Sequence, residues 1–378
     1  MEWNERTGVR LIGKILMKET FYRVRKLLKL YPDAQYYMIV GERSNGKTYS
    51  LMEYSLEEYV KTGNQSAYIR RWQEDIKSKR SAMIFKGLND NGIVKKITKG
   101  EWDFVTYYSG RFYLAKYEDD KVIRSIEPFM FTFSLADWEH DKGTTESKIT
   151  TIVFDEFLTR DFYLKDEFVL FSNVISTLVR ARDNVKIFMI GNTVNKYCPY
   201  FSEMGLTNVK KQQPGTVDVY TLNTKDGREC KIVVEYCGHK ASKKSDIYFA
   251  FDNPKLQMIN NGSWEIDNYP HLPCRYRDND VVLIYFICFN DNVLQCEIIN
   301  KDDMLFTYIH IKTTPLRKDS SIVFSPEYSP LPNYYRKITF NYNKKIKKIY
   351  DFFRTDKVFY QTNEVGEIVR NYLNWCIK

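Results

Sequence analysis

The residues whose types and spacing best fit chemistry form one octapeptide, Gly41-Glu-Arg-Ser-Asn-Gly46-Lys47-Thr48. It fits the pattern G-x-x-x-x-G-K-[ST], in which glycines let backbone N–H groups converge on phosphate oxygens at a helix N-terminus. Lys47 is expected to reach the β and γ phosphates of ATP, and Thr48 to offer Mg²⁺ a hydroxyl ligand. The predicted nucleotide contacts are Gly41, Arg43, Ser44, Asn45, Gly46, Lys47, Thr48 and Tyr49.

A second candidate element is the run Ile149-Thr-Thr-Ile-Val-Phe-Asp155-Glu156. Its apolar residues predict a buried strand that delivers Asp155 at its C-terminal end, where a carboxylate can hold Mg²⁺ through water. Because the backbone turns where a strand ends, Glu156 can reach the same site, orient the attacking water and deprotonate it. Asp-Glu pairs also occur at ordinary strand ends, so the hydrolytic interpretation depends on the phosphate loop.

Two further positions complete a candidate hydrolytic site. Asn192 follows the apolar run 185–190 and is expected to sense the γ-phosphate or the attacking water; a loop Asn that closes a turn is the alternative. Arg180 and Arg182 lie at the end of a predicted helix over 166–182, where cations complement the helix dipole. The sharper hypothesis is an arginine finger inserted into a neighbouring subunit's site.

Basic residues form a third class of candidates. A cation-rich segment that contains Trp72 suits sequence-independent contacts to DNA phosphates, with a solvated edge as the alternative. Its basic residues are Arg70, Arg71, Lys77, Lys79 and Arg80. Arg43, inside the phosphate loop, is expected to contact nucleotide, to cross an interface or to be solvated. The basic run 344–348 is interpreted as a solvated face.

The elements that must position these residues alternate between strands and helices up to about residue 214, which predicts an α/β structure with a mostly parallel sheet. Strand runs at 281–289, 293–299 and 305–311 then predict two tight hairpins, and the last segment, 364–377, is helical. We predict an ATPase domain over 1–238, a linker over 239–264 and a second, α+β domain over 265–378.

Composition narrows the class of protein. The chain has 378 residues, which predicts two or three domains, and its 43% hydrophobic content excludes wholesale disorder. The 57 basic and 48 acidic residues give a net charge of +9, which suits nucleic acid, an anionic membrane surface or a solvated exterior. Seven scattered cysteines without C-x-x-C spacing argue against a disulfide framework and a structural zinc site. The longest apolar run is too short to cross a bilayer, and the polar N-terminus does not resemble a secretory signal, so we expect a cytosolic protein.

The motifs together resemble the ASCE class of P-loop motor ATPases and, within it, the DNA-packaging ATPases of phi-29-like small tailed phages. The resemblance covers about residues 36–201. It rests on the Arg in the third place of the phosphate loop, Tyr68-Ile-Arg70-Arg71, Thr151-Ile-Val-Phe-Asp155-Glu156-Phe157, Arg180-Ala-Arg182, Asn192 and Pro199-Tyr200-Phe201. Gln73 stands where the family's lid carries a Lys, and there the sequence departs from the pattern.

The resemblance implies a ring of identical subunits, five in number, that docks on the procapsid portal in the host cytoplasm and pumps double-stranded DNA. ATP would lie between neighbours, with Arg180 as the trans-acting finger; a packaging RNA takes part in some members. The second domain would resemble an RNase H-like nuclease that has lost its activity. The sequence agrees, because an active fold of that kind needs a metal-binding Asp in its first strand and 281–289 contains no acid.

Two other functions compete with this interpretation. One is a terminase-like protein that combines a motor with an active nuclease, against which the acid-free strand counts. The other is a scaffold that binds nucleotide without moving DNA. Duplex DNA would not stimulate nucleotide turnover by such a scaffold.

Overall fold

The computed structural model describes residues 10–12, 21–138, 148–224, 227–238, 263–316, 321–339 and 343–377. The chain divides into two compact units, Met1–Trp264 and Glu265–Lys378. Apart from its last two residues, the predicted linker 239–264 lies outside the described residues.

The first unit alternates strands and helices. Its strands are β1 (Arg10–Ile12), β2 (Tyr36–Gly41), β3 (Gln65–Arg70), β4 (Phe104–Tyr108), β5 (Arg111–Glu118), β6 (Lys121–Arg124), β7 (Met130–Ser134), β8 (Ile149–Asp155), β9 (Lys186–Asn192), β10 (Thr216–Asn223) and β11 (Glu229–Tyr236). Its helices are α1 (Val24–Leu30), α2 (Lys47–Thr62), α3 (Ser78–Ile84), α4 (Lys86–Asp90), α5 (Ile93–Ile97), α6 (Glu167–Val179) and α7 (Pro199–Glu203).

These strands form one sheet in the order β1-β10-β11-β2-β9-β8-β3-β7-β5-β4, with β6 paired to β5. Neighbours from β11 to β7 are parallel, which confirms the predicted α/β fold with a mostly parallel sheet. One strand, β9, separates the phosphate-loop strand β2 from β8, as in ASCE ATPases. Parallel strands end at a common edge, so the sheet brings together the last residues of four strands. They are Gly41, Asn192, Asp155 and Arg70.

Helices cover both faces of the sheet, because its central strands are apolar on both sides. In β2, Met38 and Val40 join one core with residues of α6, while Tyr37 and Ile39 join the other with residues of α2. Helices α6 and α2 therefore pack on opposite faces of the sheet. In the described part of the chain, no helix has the length and apolar character needed to span a membrane.

The second unit has a six-stranded sheet in the order β16-β15-β12-β13-β14-β17. Its strands are β12 (Val281–Phe289), β13 (Asn292–Lys301), β14 (Met304–Ile311), β15 (Ile322–Phe324), β16 (Tyr334–Tyr335) and β17 (Val358–Tyr360), and its helices are α8 (Lys344–Arg354) and α9 (Asn363–Ile377). The first three strands form the predicted antiparallel meander, and β15 and β16 continue the sheet in parallel beside β12. Strands β12 to β16 have the order and directions expected of an RNase H-like sheet, and β17 extends the sheet in parallel beside β14.

Candidate nucleotide site

The phosphate loop joins the end of β2 to the start of α2 and borders a cavity of about 300 Å³. Gly46, the residue before the helix, has a φ of 91°, a left-handed conformation that glycine adopts without steric cost. The first turn of α2 carries no acidic residue, so the positive end of its dipole is available to an anion. The cavity is lined by Ser44, Asn45, Gly46, Lys47, Thr48, Tyr49, Asp155, Glu156, Gly191 and Asn192.

Lys47 is buried at the floor of this cavity. Its Nζ donates to the carbonyl oxygen of Glu42 at 2.7 Å, to Oδ1 of Asn45 at 3.2 Å and to Oδ1 of Asn192 at 3.3 Å. Burial lowers the pKa of Lys47, against the opposing effect of nearby acidic groups such as Asp155. The ammonium is thus held by neutral oxygens that phosphate oxygens can replace, which is the arrangement a phosphate-binding lysine requires.

Asp155 ends β8 and is 7% exposed. Its Oδ2 accepts hydrogen bonds from the Thr48 hydroxyl at 3.2 Å and from the Tyr68 hydroxyl at 2.8 Å. Burial, together with the charge of Asp155, raises the pKa of Tyr68 well above its usual value, so the phenol remains a donor near neutral pH. A hydroxyl beside a carboxylate is the hard oxygen donor set that suits Mg²⁺.

Glu156 is the first residue after β8 and has a φ of 59°. This left-handed conformation costs a non-glycine residue on the order of 1 kcal/mol. The turn lets two consecutive carboxylates line one cavity, as the end of a strand was expected to permit. The Glu156 side chain is 55% exposed, and its Oε2 accepts a hydrogen bond from Nη2 of Arg70 at 2.5 Å.

Arg70 ends β3 and belongs to the same site. Besides Glu156, its guanidinium lies 3.9 Å from Asp155 and 3.6 Å from Asp75. Burial alone would lower the pKa of Arg70, but Tyr68, Asp155 and Glu156 outweigh it and raise the pKa. The predicted role in DNA contact does not fit this position, because the guanidinium already pairs with the carboxylates of Asp155 and Glu156 in its own cavity.

Arg71 points away from the surface as well, at 5% exposure. Its Nε and Nη2 donate to the two carboxylate oxygens of Glu167 at 2.8 and 2.9 Å. Burial alone would lower the pKa of Arg71, and the hydrogen bonds and charge of Glu167 raise it. The predicted DNA contact does not fit the position of Arg71 either, since a buried and doubly bonded guanidinium is not presented to a polyanion.

The other basic residues of this segment do lie at the surface. Lys77, Lys79 and Arg80 are exposed; Lys77 pairs with Glu74 at 3.0 Å and Arg80 with Asp75 at 2.5 Å. Exposed pairs of this kind are weak and exchange readily for other anions. DNA contact through these three residues stays a prediction.

Arg43, in the phosphate loop, is exposed, whereas Tyr49 is half-buried. The ring of Tyr49 lies beside Gly87, where an added Cβ would approach it to 3.3 Å. Tyr49 therefore lines the cavity as part of a packed wall, and Arg43 lies outside the lining residues.

Arg180 follows the last residue of α6 and lies outside the cavity lining. It is exposed, has a φ of 43° and donates from Nε to the carbonyl oxygen of Thr177 at 3.1 Å. Arg182 donates from Nε to the carbonyl oxygen of Val179 at 3.0 Å. Both side chains therefore cap the helix within their own chain, in the arrangement that the helix-dipole alternative describes. The arginine-finger hypothesis requires Arg180 to reach the site of a neighbouring chain.

Sequence reasoning did not place several residues in this site. Tyr68 and Arg70 lie two positions apart in a strand and so face the same side, a signal that could have placed both at the cavity. Glu167 and Cys237 gave no such signal, because their partners Arg71 and Gly41 are remote in sequence.

Comparison with known proteins identifies the family of this chain. The sequence matches the family described as Podovirus DNA encapsidation protein (Gp16) over residues 16–220, more than half of the chain. The DNA packaging protein of Bacillus phage phi29 is 27% identical over 187 residues, which are 49% of this chain and 50% of that protein. The match thus spans about half the length of this curated relative.

Two solved structures share the fold over nearly the whole chain. The Phi-28 gp11 DNA packaging motor has a TM-score of 0.52 and 16% identity, covering 94% of this chain and 96% of that chain. The bacteriophage Phi-29 viral genome packaging motor assembly has a TM-score of 0.51 and 19% identity, covering 93% and 97%. These likenesses confirm the fold, and the family match confirms the resemblance to phi-29-like packaging ATPases. The chain belongs to the podovirus DNA encapsidation protein family.

Proposed function

We propose that this protein hydrolyses ATP at the cavity beside the phosphate loop and uses the reaction to translocate double-stranded DNA into a viral procapsid. The observation that carries the proposal is the convergence of Lys47, Thr48, Asp155, Glu156 and Asn192 on one cavity at the edge of the sheet. These are the residue types that ATP hydrolysis needs, and they come from helix α2 and from the ends of two neighbouring strands, β8 and β9.

Each side chain has a distinct task in the proposed reaction. Lys47 exchanges its carbonyl partners for the β and γ phosphates, and Glu156 accepts the proton of the attacking water. The amide of Asn192, which now accepts from Lys47, turns toward the γ-phosphate. Thr48 and Asp155 would hold Mg²⁺, which when bound neutralises charge on the phosphates.

Family membership supports the mechanical part of the proposal. Identical subunits, five by resemblance, form a ring on the portal of the procapsid, in the host cytoplasm, with ATP between neighbours and Arg180 acting in trans. The exposed Lys77, Lys79 and Arg80 contact the DNA backbone.

ATP turnover with and without duplex DNA, at low and high salt, tests the proposal. We expect Lys47→Ala to lose nucleotide affinity, because the phosphates lose their cation. Glu156→Gln should keep nucleotide affinity and lower turnover by about 10²- to 10⁴-fold, since only the general base is removed. DNA should stimulate the wild type, and less so at high salt. Turnover that DNA leaves unchanged under both conditions would instead favour the non-translocating scaffold.

The contribution of the surface cations is measured separately. Replacing Lys77, Lys79 and Arg80 together by Ala should weaken DNA stimulation and leave basal turnover intact, because these side chains lie outside the cavity lining. The exposed trio Lys95, Lys96 and Lys99 in the same unit provides a control of equal charge. Equal loss of stimulation in both triple variants would contradict a specific role for the first trio.

A further inference from the structure

A buried polar network lies directly beneath Glu156. Arg71 forms its centre: besides its two bonds to Glu167, Nη2 donates to the carbonyl oxygen of Phe157 at 2.7 Å and Nη1 to that of Glu156 at 3.2 Å. The guanidinium also lies over the ring of Tyr163, 4.9 Å from its centroid. One side chain thus binds the carbonyl groups of the two residues that follow Asp155 in the chain.

Stability alone does not explain this network. A buried ion pair loses the hydration of both ions, and apolar residues of similar volume are often equally stabilising in its place. What Arg71 does that an apolar side chain cannot do is fix two carbonyl oxygens. One of them belongs to Glu156, whose left-handed backbone persists only where the surroundings enforce it.

Glu167 is itself fixed on several sides. Its Oε2 accepts from the backbone N–H of Leu164 at 2.7 Å, and its Oε1 accepts from the hydroxyl of Tyr200 at 3.0 Å. The carboxylate therefore holds the Arg71 fork in one orientation while being held by two other elements. Such a fully bonded arrangement positions groups to within a fraction of an ångström, which is the precision that a catalytic base requires.

We propose that Arg71 is a positioning residue for Glu156, and that Glu167 and Tyr200 complete the network that sets this carboxylate at the cavity. The inference rests on the proposed ATPase activity and assigns Arg71 to the reaction rather than to DNA. It also explains why two adjacent arginines occur at the end of β3. Arg70 contacts the Glu156 side chain, and Arg71 contacts its backbone.

Arg71→Lys tests the proposal directly. Lysine keeps the charge but replaces the planar fork with a single ammonium, so it cannot hold Glu167 and both carbonyl groups together. We expect kcat to fall about 10- to 100-fold, while KM for ATP and affinity for a fluorescent ATP analogue stay within about threefold. A loss of nucleotide affinity as large as the loss of kcat would contradict the positioning role.

A double-mutant cycle with Glu156→Gln distinguishes positioning from general structural damage. If Arg71 acts through Glu156, adding Arg71→Lys to Glu156→Gln should lower single-turnover hydrolysis no further. The same fold loss in both backgrounds would overturn the inference. Arg111→Lys, at an exposed arginine of β5 that lies over the ring of Phe131, is the matched control and should leave turnover unchanged.

Two safeguards keep the test decisive. If Arg71→Lys does not fold, Tyr200→Phe carries the same cycle, because it removes one hydroxyl and keeps the buried ring; we expect a smaller loss of kcat that also disappears in the Glu156→Gln background. Wild-type turnover and its loss in Glu156→Gln are measured first. Failure at that stage contradicts the proposed function, whereas equal losses in both backgrounds contradict only this inference.

Discussion

Gly41 illustrates how a single residue is fixed by a neighbour far away in sequence. A Cβ at this position would lie 2.7 Å from the Cβ of Cys237, closer than side-chain carbons approach. Cys237 is bound in place because its N–H donates to the carbonyl oxygen of Val40 at 2.8 Å. The phosphate loop therefore begins where the chain has room only for a hydrogen atom.

We expect Gly41→Ala to displace the loop and to lower nucleotide affinity about tenfold or more, in line with the 1–3 kcal/mol that overpacking costs. Cys237→Gly in the same chain should restore binding, since it removes the atom that collides. Cys237→Ala retains its Cβ and serves as the control. Equal rescue by both second substitutions, measured by titration with a fluorescent ATP analogue, would refute the steric explanation.

Residue types and short spacings predicted the parts of the site that are local in sequence. Lys47 and Thr48 follow from the loop pattern, and Asp155 from an apolar strand that ends in an acid. The contacts of Arg70 and Arg71 could not be predicted in this way, because their carboxylate partners lie 86 and 96 positions further along the chain. Adjacent cations beside an aromatic residue resemble a solvated or DNA-binding edge until the sheet order brings β3 next to β8.

At the scale of elements, alternation predicted the central strands and both hairpins of the second unit closely. The turns at 290–291 and 302–303 all have positive φ, as two-residue hairpin loops require, and Asn and Asp tolerate that conformation. The helices α3 to α5 escaped prediction, because segments of five to seven residues are too short to carry a clear helical period. The strands β15 to β17 were also missed, because two or three residues are too few to show the alternation of a strand.

The hairpin β13–β14 carries a cross-strand ion pair with a defined pH dependence. Nε2 of His310 lies 3.3 Å from Oε1 of Glu297, which also accepts from Gln295, while Oε2 accepts from Tyr276. The bond from His310 is the main reason that the pKa of Glu297 falls to about 2, and the same bond raises the pKa of His310 above 6.5. The pair therefore contributes fully between pH 4.5 and 6.5, fades in acid as Glu297 is protonated and fades in base as His310 loses its proton.

His310→Gln should weaken this hairpin by about 1 kcal/mol where the pair is fully charged. The loss of hairpin stability relative to the wild type should shrink as the pH rises through the pKa of His310. Hydrogen exchange of the β13 and β14 amides in the full chain measures it locally. Tyr276→Phe is the control: its hydroxyl does not titrate in this range, so its effect should not vary with pH. A deficit for His310→Gln that is equally constant would contradict the charged pair.

At the scale of the whole molecule, the two ends of helix α6 carry residues with different proposed roles. Its first residue, Glu167, belongs to the network under Glu156, and Arg180 follows its last residue. The helix has 13 residues, so its ends are about 20 Å apart. Arg180 is therefore remote from the cavity of its own chain, and a role in hydrolysis requires a second copy of the protein.

Mixed assemblies test this requirement. Arg180→Ala should retain nucleotide binding and lose turnover by about 10³-fold or more, as for an arginine finger supplied in trans. Mixing it with Glu156→Gln should restore turnover, because the first variant keeps an intact cavity and the second donates the missing guanidinium. Arg182→Ala is the control, since Arg182 caps α6 within its own chain; its effect on stability should not respond to mixing. Full turnover by Arg180→Ala as an isolated monomer would contradict the trans-acting finger and leave the residue as a helix cap alone.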